Sequence, residues 1–293
     1  MSTSETLKNI KNKQKRQRVF AELKHEKNKE RHKLRLARMK EERLNPELKD
    51  ERLKSNVPNT IENMRVYDET IGTAIEGEDE FAQYFQDGKA PKILLTTNTY
   101  AKKEAYEFAD ILMDFLPNTT FVKRRKDYSI KEMAKYCNNR EFTDLVVINE
   151  DKKKVTGLTF IHLPEGPTFY FSITSLVDTK QIQGHGRATD HTPELILNNF
   201  QTRFGKLVGR LFQSLFPQRP EIQGRQVITL HNQRDFIFFR RHRYIFRNEE
   251  KVGLQELGPQ FTLKLRRVQK NVKGDLIWEH RPDMERDKKK FYL

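Results

Sequence analysis

The feature that most constrains this chain is a repeat of order. Gly166-Pro167-Thr168-Phe169 and Gly258-Pro259-Gln260-Phe261 are near-copies, and each leads into an apolar run near the end of its half. Ahead of the first lies Ile93-Leu94-Leu95-Thr96-Thr97-Asn98; ahead of the second lies Leu195-Ile196-Leu197-Asn198-Asn199-Phe200. Both of these are followed by a helical stretch. A four-residue match alone is weak. Its place at the same point of two similarly ordered halves marks an internal duplication rather than a solenoid. Two such copies predict one pseudo-symmetric body of about 190 residues, within the usual range for a domain.

The elements follow from hydrophobic spacing. Ala105, Phe108, Ala109, Leu112 and Phe115 recur at the helical period, and Pro117 ends that helix. Ile130, Met133, Ala134 and Cys137 share one face of a second helix, and Phe204, Leu207, Val208, Leu211, Phe212 and Leu215 form the stripe of a third. Thr120-Phe121-Val122 and Leu145–Asn149 read as short strands. Val155–Leu163 and Thr168–Thr174 read as an antiparallel pair joined at Pro164–Pro167. Strands alternating with helices, then strands in succession, give an α/β fold with mixed sheets.

The stretch Gly224–Phe246 carries the clearest functional signal. Val227–Leu230 and Phe236–Phe239 flank a polar break at His231–Asp235, the pattern of two strands and a turn. Phe236, Ile237, Phe238 and Phe239 are apolar at every position, which predicts burial on both sides. Arg240, Arg241, His242 and Arg243 follow directly. An unpaired buried charge costs several kcal/mol or more, so the strand is expected to leave the core and carry these groups to a surface. Arg234 lies in the turn and Tyr244 closes the basic run. Lys264, Arg266 and Arg267 lie on the strand after the second Gly-Pro pair. Cations for phosphates beside aromatic rings for bases are what RNA binding requires. The structural alternative is a core strand whose arginines pair with Asp235, Glu249 or Glu250.

Charge is concentrated at the start. The net charge is +15, and residues 1–54 hold eighteen Lys/Arg against nine Asp/Glu, which accounts for +9 of it. A polyanionic partner is implied. The block has no Gly, few apolar residues and many helix formers, so a basic, helix-prone extension is expected that orders against RNA or a partner. Lys11, Lys13, Lys15, Arg16 and Arg18 are its candidate RNA contacts, and Lys11–Arg18 also fits a nuclear import signal. Residues 55–89 read as a linker, acidic at Glu76, Glu78, Asp79 and Glu80 beside Phe81, Tyr84 and Phe85. The domain is expected over 90–283, with halves at about 90–180 and 190–283, before a basic tail at 284–293 that includes Lys288–Lys290.

Several chemistries find no footing. Cys137 is the only cysteine, which excludes an intrachain disulfide and a Cys-rich zinc site and fits a reducing compartment. No run long and apolar enough to span a membrane occurs, nor a secretory signal at the first residues. Gly184-His185-Gly186-Arg187 lacks the third glycine of a dinucleotide loop, and Gly205-Lys206 lies inside a helix. His185 and His191 have no third metal ligand at suitable spacing. No cofactor is implied, and an enzyme is disfavoured.

Four segments resemble the motifs of the Brix-domain family, in the family's order. They are Ile161–Thr174, Leu195–Phe200, the run Arg234–Tyr244, and Glu256–Leu265, within about 90–281. The resemblance implies one domain of two similar α/β halves, like duplicated anticodon-binding domains. It implies a non-enzymatic factor of the nucleus and nucleolus that binds pre-ribosomal RNA of the large subunit and works beside a dedicated protein partner. Gln260 departs from the family, in which a basic residue often follows Gly-Pro. The rival reading is a protein–protein scaffold within pre-ribosomes with little direct RNA contact.

Overall fold

The computed structural model describes residues 11–58, 60–61, 63–66, 80–249, 251–286 and 290–293. The chain divides into two compact units, one ending at Met64 and one from Arg65 to Leu293.

The first unit is helical: α1 spans Lys13–Leu44 and α2 spans Pro46–Ser55. Asn12 starts α1 by accepting the backbone N–H groups of Gln14 and Lys15 on its side chain. Pro46, with no N–H to lose, starts α2. Neither helix buries a residue, which suits helices that are polar nearly all round. The Arg52 guanidinium donates to Glu42 and ties α2 back to α1.

The second unit is built on one mixed sheet. Its strands are β1 (Ile93–Thr97), β2 (Thr119–Phe121), β3 (Asp144–Asp151), β4 (Lys154–His162), β5 (Thr168–Val177) and β6 (Glu194–Asn198), then β7 (Gln226–Gln233), β8 (Phe236–Asn248), β9 (Lys251–Glu256), β10 (Gln260–Gln269) and β11 (Leu276–Glu279). The order across the sheet is β2-β1-β3-β4-β5-β10-β8-β7-β6, with β9 beside β8 and β11 beside β10. The seam is the antiparallel pair β5 and β10, the two strands that follow the Gly-Pro pairs. Outward from the seam the halves match. Each has an antiparallel neighbour and then a parallel outer pair, β3 with β1 in one half and β7 with β6 in the other. The duplication expected from the sequence is thus visible as strand order.

Helices α4 (Lys103–Met113) and α6 (Arg203–Ser214) cover the same face of this sheet. Between them and the sheet lies a core rich in phenylalanine: Phe108, Phe169, Phe171, Phe212, Phe239 and Phe261 are all buried. Phe239 and Phe261 stack at 4.2 Å across β8 and β10. The opposite face is covered only over the first half. There α5 (Ile130–Asn138) sets Ala134 and Cys137 against Leu94, Leu145, Val147 and Ile161. Burial pushes the Cys137 thiol up to about 11, so it packs as a neutral side chain. Ser129 and Glu132 cap α5 reciprocally, and the hydrogen bonds from Ser129 hold the Glu132 carboxyl below its usual range.

Residues ahead of β1 also pack on this body. Phe81 is fully buried, and α3 (Ala82–Asp87) follows it. The rings of Phe81 and Tyr84 lie 4.6 and 5.0 Å from that of His162, whose Nδ1 is 2.8 Å from the buried Asp144 carboxylate. The acidic cluster Glu76, Glu78 and Asp79 lies outside the described residues, as do Glu250 and Lys288–Lys289.

One expectation about β8 fails. Phe236–Phe239 is not buried on both sides: Ile237 and Phe239 enter the core, but Phe236 is 37% exposed and Phe238 only half-buried. The reason is the missing helix. Among the described residues no helix equivalent to α5 lies over the second half, so the period-two alternation of a strand shows as one buried and one open face.

Candidate nucleic-acid interface

The two-residue turn Arg234-Asp235 joins β7 to β8, with both residues at positive φ (55° and 63°). That is the backbone of a tight hairpin turn whose twist suits the strands. Arg234 projects into solvent. Asp235 turns inward: its Oδ1 accepts the N–H groups of Tyr292 and Leu293 at 2.7 and 2.9 Å. Arg65 completes this clasp with hydrogen bonds to the carbonyls of Phe291 and Leu293. Burial raises the Asp235 pKa against the opposing pull of those two N–H groups. Leu293 itself is 1% exposed and belongs to the core.

Along β8 the cations alternate in direction, and this decides their roles. Arg241 faces the same side as Ile237 and Phe239 and is 2% exposed. Its Nη2 donates to Gln226 Oε1 at 2.7 Å, and its guanidinium lies 5.8 Å from the Phe115 ring centre. Burial lowers its pKa, while the nearby Asp114 charge opposes that shift. Arg241 therefore does not reach the surface expected of it. It is a buried cation held by the Gln226 acceptor and the nearby Asp114 charge, and its Nε has no hydrogen-bond partner among the described residues.

Arg240 and His242 face the open side, half-buried. Arg240 donates to the Phe239 carbonyl at 2.8 Å and lies 3.9 Å from Glu256. Arg243 is half-buried on the other side, where it pairs in register with Gln226 and with Gln255 of β9. Tyr244 Oη donates to Glu194 at 2.5 Å, which raises its pKa. Arg234 and Arg243 have no carboxylate partner among the described residues. Gln260 donates to Glu256 at 2.6 Å.

The β10 cations are already engaged. Lys264 is 8% exposed, with Nζ 2.8 Å from Glu285 and 4.7 Å from the centre of the Phe236 ring. Arg266 donates to Ser172 Oγ at 2.9 Å and lies 3.6 Å from Glu285. Arg267 donates twice to Glu279, at 3.0 and 2.6 Å. The Lys264 and His280 hydrogen bonds hold the Glu285 carboxyl at about 2. Lys264 is enclosed and does not present its charge outward. A β-bulge between Leu265 and Arg267 brings Arg266 and Arg267 to one face of the sheet, but separate partners hold them, Ser172 and Glu285 for Arg266 and Glu279 for Arg267.

β9 was not anticipated. It extends β8 into a hairpin reaching beyond β7, in which Arg247 is exposed, and Arg225 lies exposed at the start of β7. Each stands apart from the basic run in sequence, Arg247 beyond Tyr244-Ile245-Phe246 and Arg225 between Gly224 and Gln226. On one face of this hairpin, Tyr244 pairs with Leu254 and Phe246 with Val252. Phe246, Val252 and Leu254 are all exposed. In the first unit, Lys13, Lys15, Arg16 and Arg18 lie exposed in the opening turns of α1, directly after Lys11. Arg18 pairs with Glu22 at 3.2 Å. These four stand at the positive end of the helix dipole with no acid in the first turn, an arrangement that favours a bound anion.

A duplicated sheet with basic strands over a phenylalanine core defines a class, and comparison with known proteins identifies it. The Brix domain matches residues 99–267. The chain belongs to the Brix-domain family and, within it, to the branch named ribosome production factor 1. Ribosome production factor 1 of Saccharomyces cerevisiae is 66% identical over 97% of this chain and 98% of its own length. The Pongo abelii protein of the same name is 45% identical, covering 98% of this chain and 85% of its own. Among solved structures, a probable ribosomal biogenesis protein from Aeropyrum pernix K1 is similar at a TM-score of 0.45 and 12% identity, over 65% of this chain and 99% of that one.

Proposed function

We propose that this protein is a non-enzymatic ribosome biogenesis factor that binds pre-ribosomal RNA in the nucleolus and promotes large-subunit assembly and rRNA maturation. The relatives' name supports the biogenesis part of this reading. The RNA part is carried by one observation: exposed Arg234 at the β7–β8 turn, and half-buried Arg243 with exposed Arg225 and Arg247 towards the other end of β8, have no carboxylate partners among the described residues. A cation with no acid beside it is available to a phosphate, whereas Arg241, Lys264 and Arg267 would first have to break a contact. Lys11, Lys13, Lys15, Arg16 and Arg18 extend the same chemistry onto the first unit. His242 and Tyr244 offer rings on the face of β8 opposite Arg243.

The dedicated protein partner has its own support. The Tyr244, Phe246, Val252 and Leu254 face of the hairpin is apolar and exposed, which suits contact with another protein. This face also favours the scaffold reading, and one experiment separates the two. Ultraviolet crosslinking in cells, followed by sequencing of the attached RNA, yields large-subunit precursor segments on the RNA-binding reading. Recovery of protein crosslinks alone, with RNA at background, would leave the scaffold reading standing.

A further inference from the structure

The first half holds a set of cations that the reading above does not use. After β2 the chain runs Lys123-Arg124-Arg125-Lys126-Asp127-Tyr128, and α5 then adds Lys131, Lys135 and Tyr136. Residues 123–140 carry seven Lys/Arg against two acids, Asp127 and Glu132. Glu132 is committed to the cap at Ser129. A groove of about 570 Å³ opens here, with Leu94, Met133 and Cys137 in its floor and Lys123, Arg124, Arg125 and Arg140 on its rim. No carboxylate lines it.

Three observations show that these charges are not there to satisfy one another. None of Lys123, Arg124, Arg125, Lys126, Lys131, Arg140 and Lys273 takes part in the ion pairs formed among the described residues. Arg124 Nε is enclosed without a hydrogen-bond partner among those residues. Lys273 has its pKa lowered by burial and further by the charges of Arg124, Arg267 and Lys131 around it. Like charges crowded in this way oppose folding unless an anion joins them.

The aromatic groups narrow the kind of anion. Tyr128 and Tyr136 line the same groove, with ring centres 5.8 Å apart. They meet edge to face and are 42% and 54% exposed, which leaves ring surface open to a ligand. An acidic peptide would use the cations and leave these rings idle. A duplex would offer phosphates but keep its bases stacked within itself. Unpaired nucleotides use both, because every base has a face that stacks on an aromatic side chain.

We infer that this groove is a second RNA site, specific for single strands, in which Lys123, Arg124, Arg125 and Arg140 on the rim, with the neighbouring charges of Lys131 and Lys273, hold phosphates while Tyr128 and Tyr136 stack on bases. It rests on the RNA-binding reading but shares none of its residues. A two-site factor of this kind would hold two segments of one transcript at the same time.

The test uses the full chain with two probes of equal length, a labelled uridine-rich single strand and a labelled duplex, read by fluorescence anisotropy. The double variant Tyr128→Leu/Tyr136→Leu is compared with Arg234→Gln/Arg243→Gln. All four side chains are at least partly exposed, and circular dichroism melts check the fold. We expect the tyrosine variant to lose single-strand affinity by about tenfold or more, from lost stacking, and duplex affinity by less than about twofold. Unchanged single-strand binding in a folded tyrosine variant overturns the inference. So does equal competition by polyglutamate for the single strand in the parent and the tyrosine variant, which would mark the groove as a site for acidic protein. If Arg234→Gln/Arg243→Gln alone loses RNA, the proposed function stands and only the second site falls. If the parent binds neither probe, the proposed function falls with it.

Discussion

The two halves of the sheet share a strand order and one covered face, but differ on the other face. In the first half, α5 lies across β1 and β3, and both strands are apolar on both sides. In the second half no α-helix among the described residues lies there, and β8 exposes Phe236, Arg240, His242 and Tyr244 on that side to differing degrees. One added helix thus separates a half whose outer side is closed from a half whose outer side is a strand surface. The comparison also shows that a cation's partner, rather than its presence, decides what it can do. Arg241 and Arg243 are two residues apart, yet one is enclosed and the other is available.

That contrast can be broken in several ways. The largest effect is expected in the shared core. Phe171→Ala, at a fully buried position between the halves' helices and the sheet, should cost about 3–5 kcal/mol in urea unfolding. Phe238→Ala on the open face should cost clearly less. Arg241→Ala removes a buried, hydrogen-bonded charge and strands Gln226 Oε1. A loss of about 1.5–3 kcal/mol is expected, whereas Arg243→Ala should stay within about 0.5 kcal/mol. Equal losses at the two arginines would sink the distinction between enclosed and available cations.

The Asp235 clasp gives a smaller, sharper comparison. Asp235→Ala orphans the Tyr292 and Leu293 N–H groups and should cost about 1–3 kcal/mol. Asp235→Asn keeps an acceptor for both and should cost much less. Because burial raises the Asp235 pKa, its ionisation opposes folding. Its contribution favours the folded state below the unfolded carboxylate pKa and fades as pH rises through the folded value. The advantage of Asn over Asp should therefore grow with pH in paired melts.

The smallest effect is at Glu285. Its pKa is held at about 2 by Lys264 and His280, so its contribution is full above the usual carboxylate range and is lost as pH falls from there towards about 2. The carboxylate is exposed, so only a slight loosening of the Lys264 contact is expected, visible as a nuclear magnetic resonance shift of the lysine ammonium over that range. No movement on acidification would contradict it.

Much of this fold was legible because spacing reports packing. Ala105, Phe108 and Leu112 mark α4, and the Gly-Pro repeat marks the two halves, whose strands β5 and β10 the structure shows meeting at the seam. What stayed hidden depended on neighbours distant in sequence. Phe236–Phe239 reads as doubly buried unless one knows that no helix covers β8. Lys251–Glu256 contains Gly253 and no clear alternation, so β9 gave no local signal; it exists because β8 runs on and offers an edge. The site divided in the same way. The basic run was plain, but only the alternation of β8 and the positions of Gln226, Glu279 and Glu285 show which cations are spoken for. The groove of Tyr128 and Tyr136 has no local signature, since it brings the basic stretch after β2 near Lys273, far along the chain.

The most direct measurement is the salt dependence of RNA affinity for the parent protein, Arg234→Gln/Arg243→Gln and Arg267→Gln. If unpartnered cations carry the binding, the double variant should lower the slope of log K against log salt by about two, at roughly 0.9 per phosphate contact on a duplex. Arg267→Gln should leave the slope nearly unchanged, because Glu279 already holds that guanidinium. A parent slope that the double variant does not alter, or an equal fall from Arg267→Gln, would contradict the account.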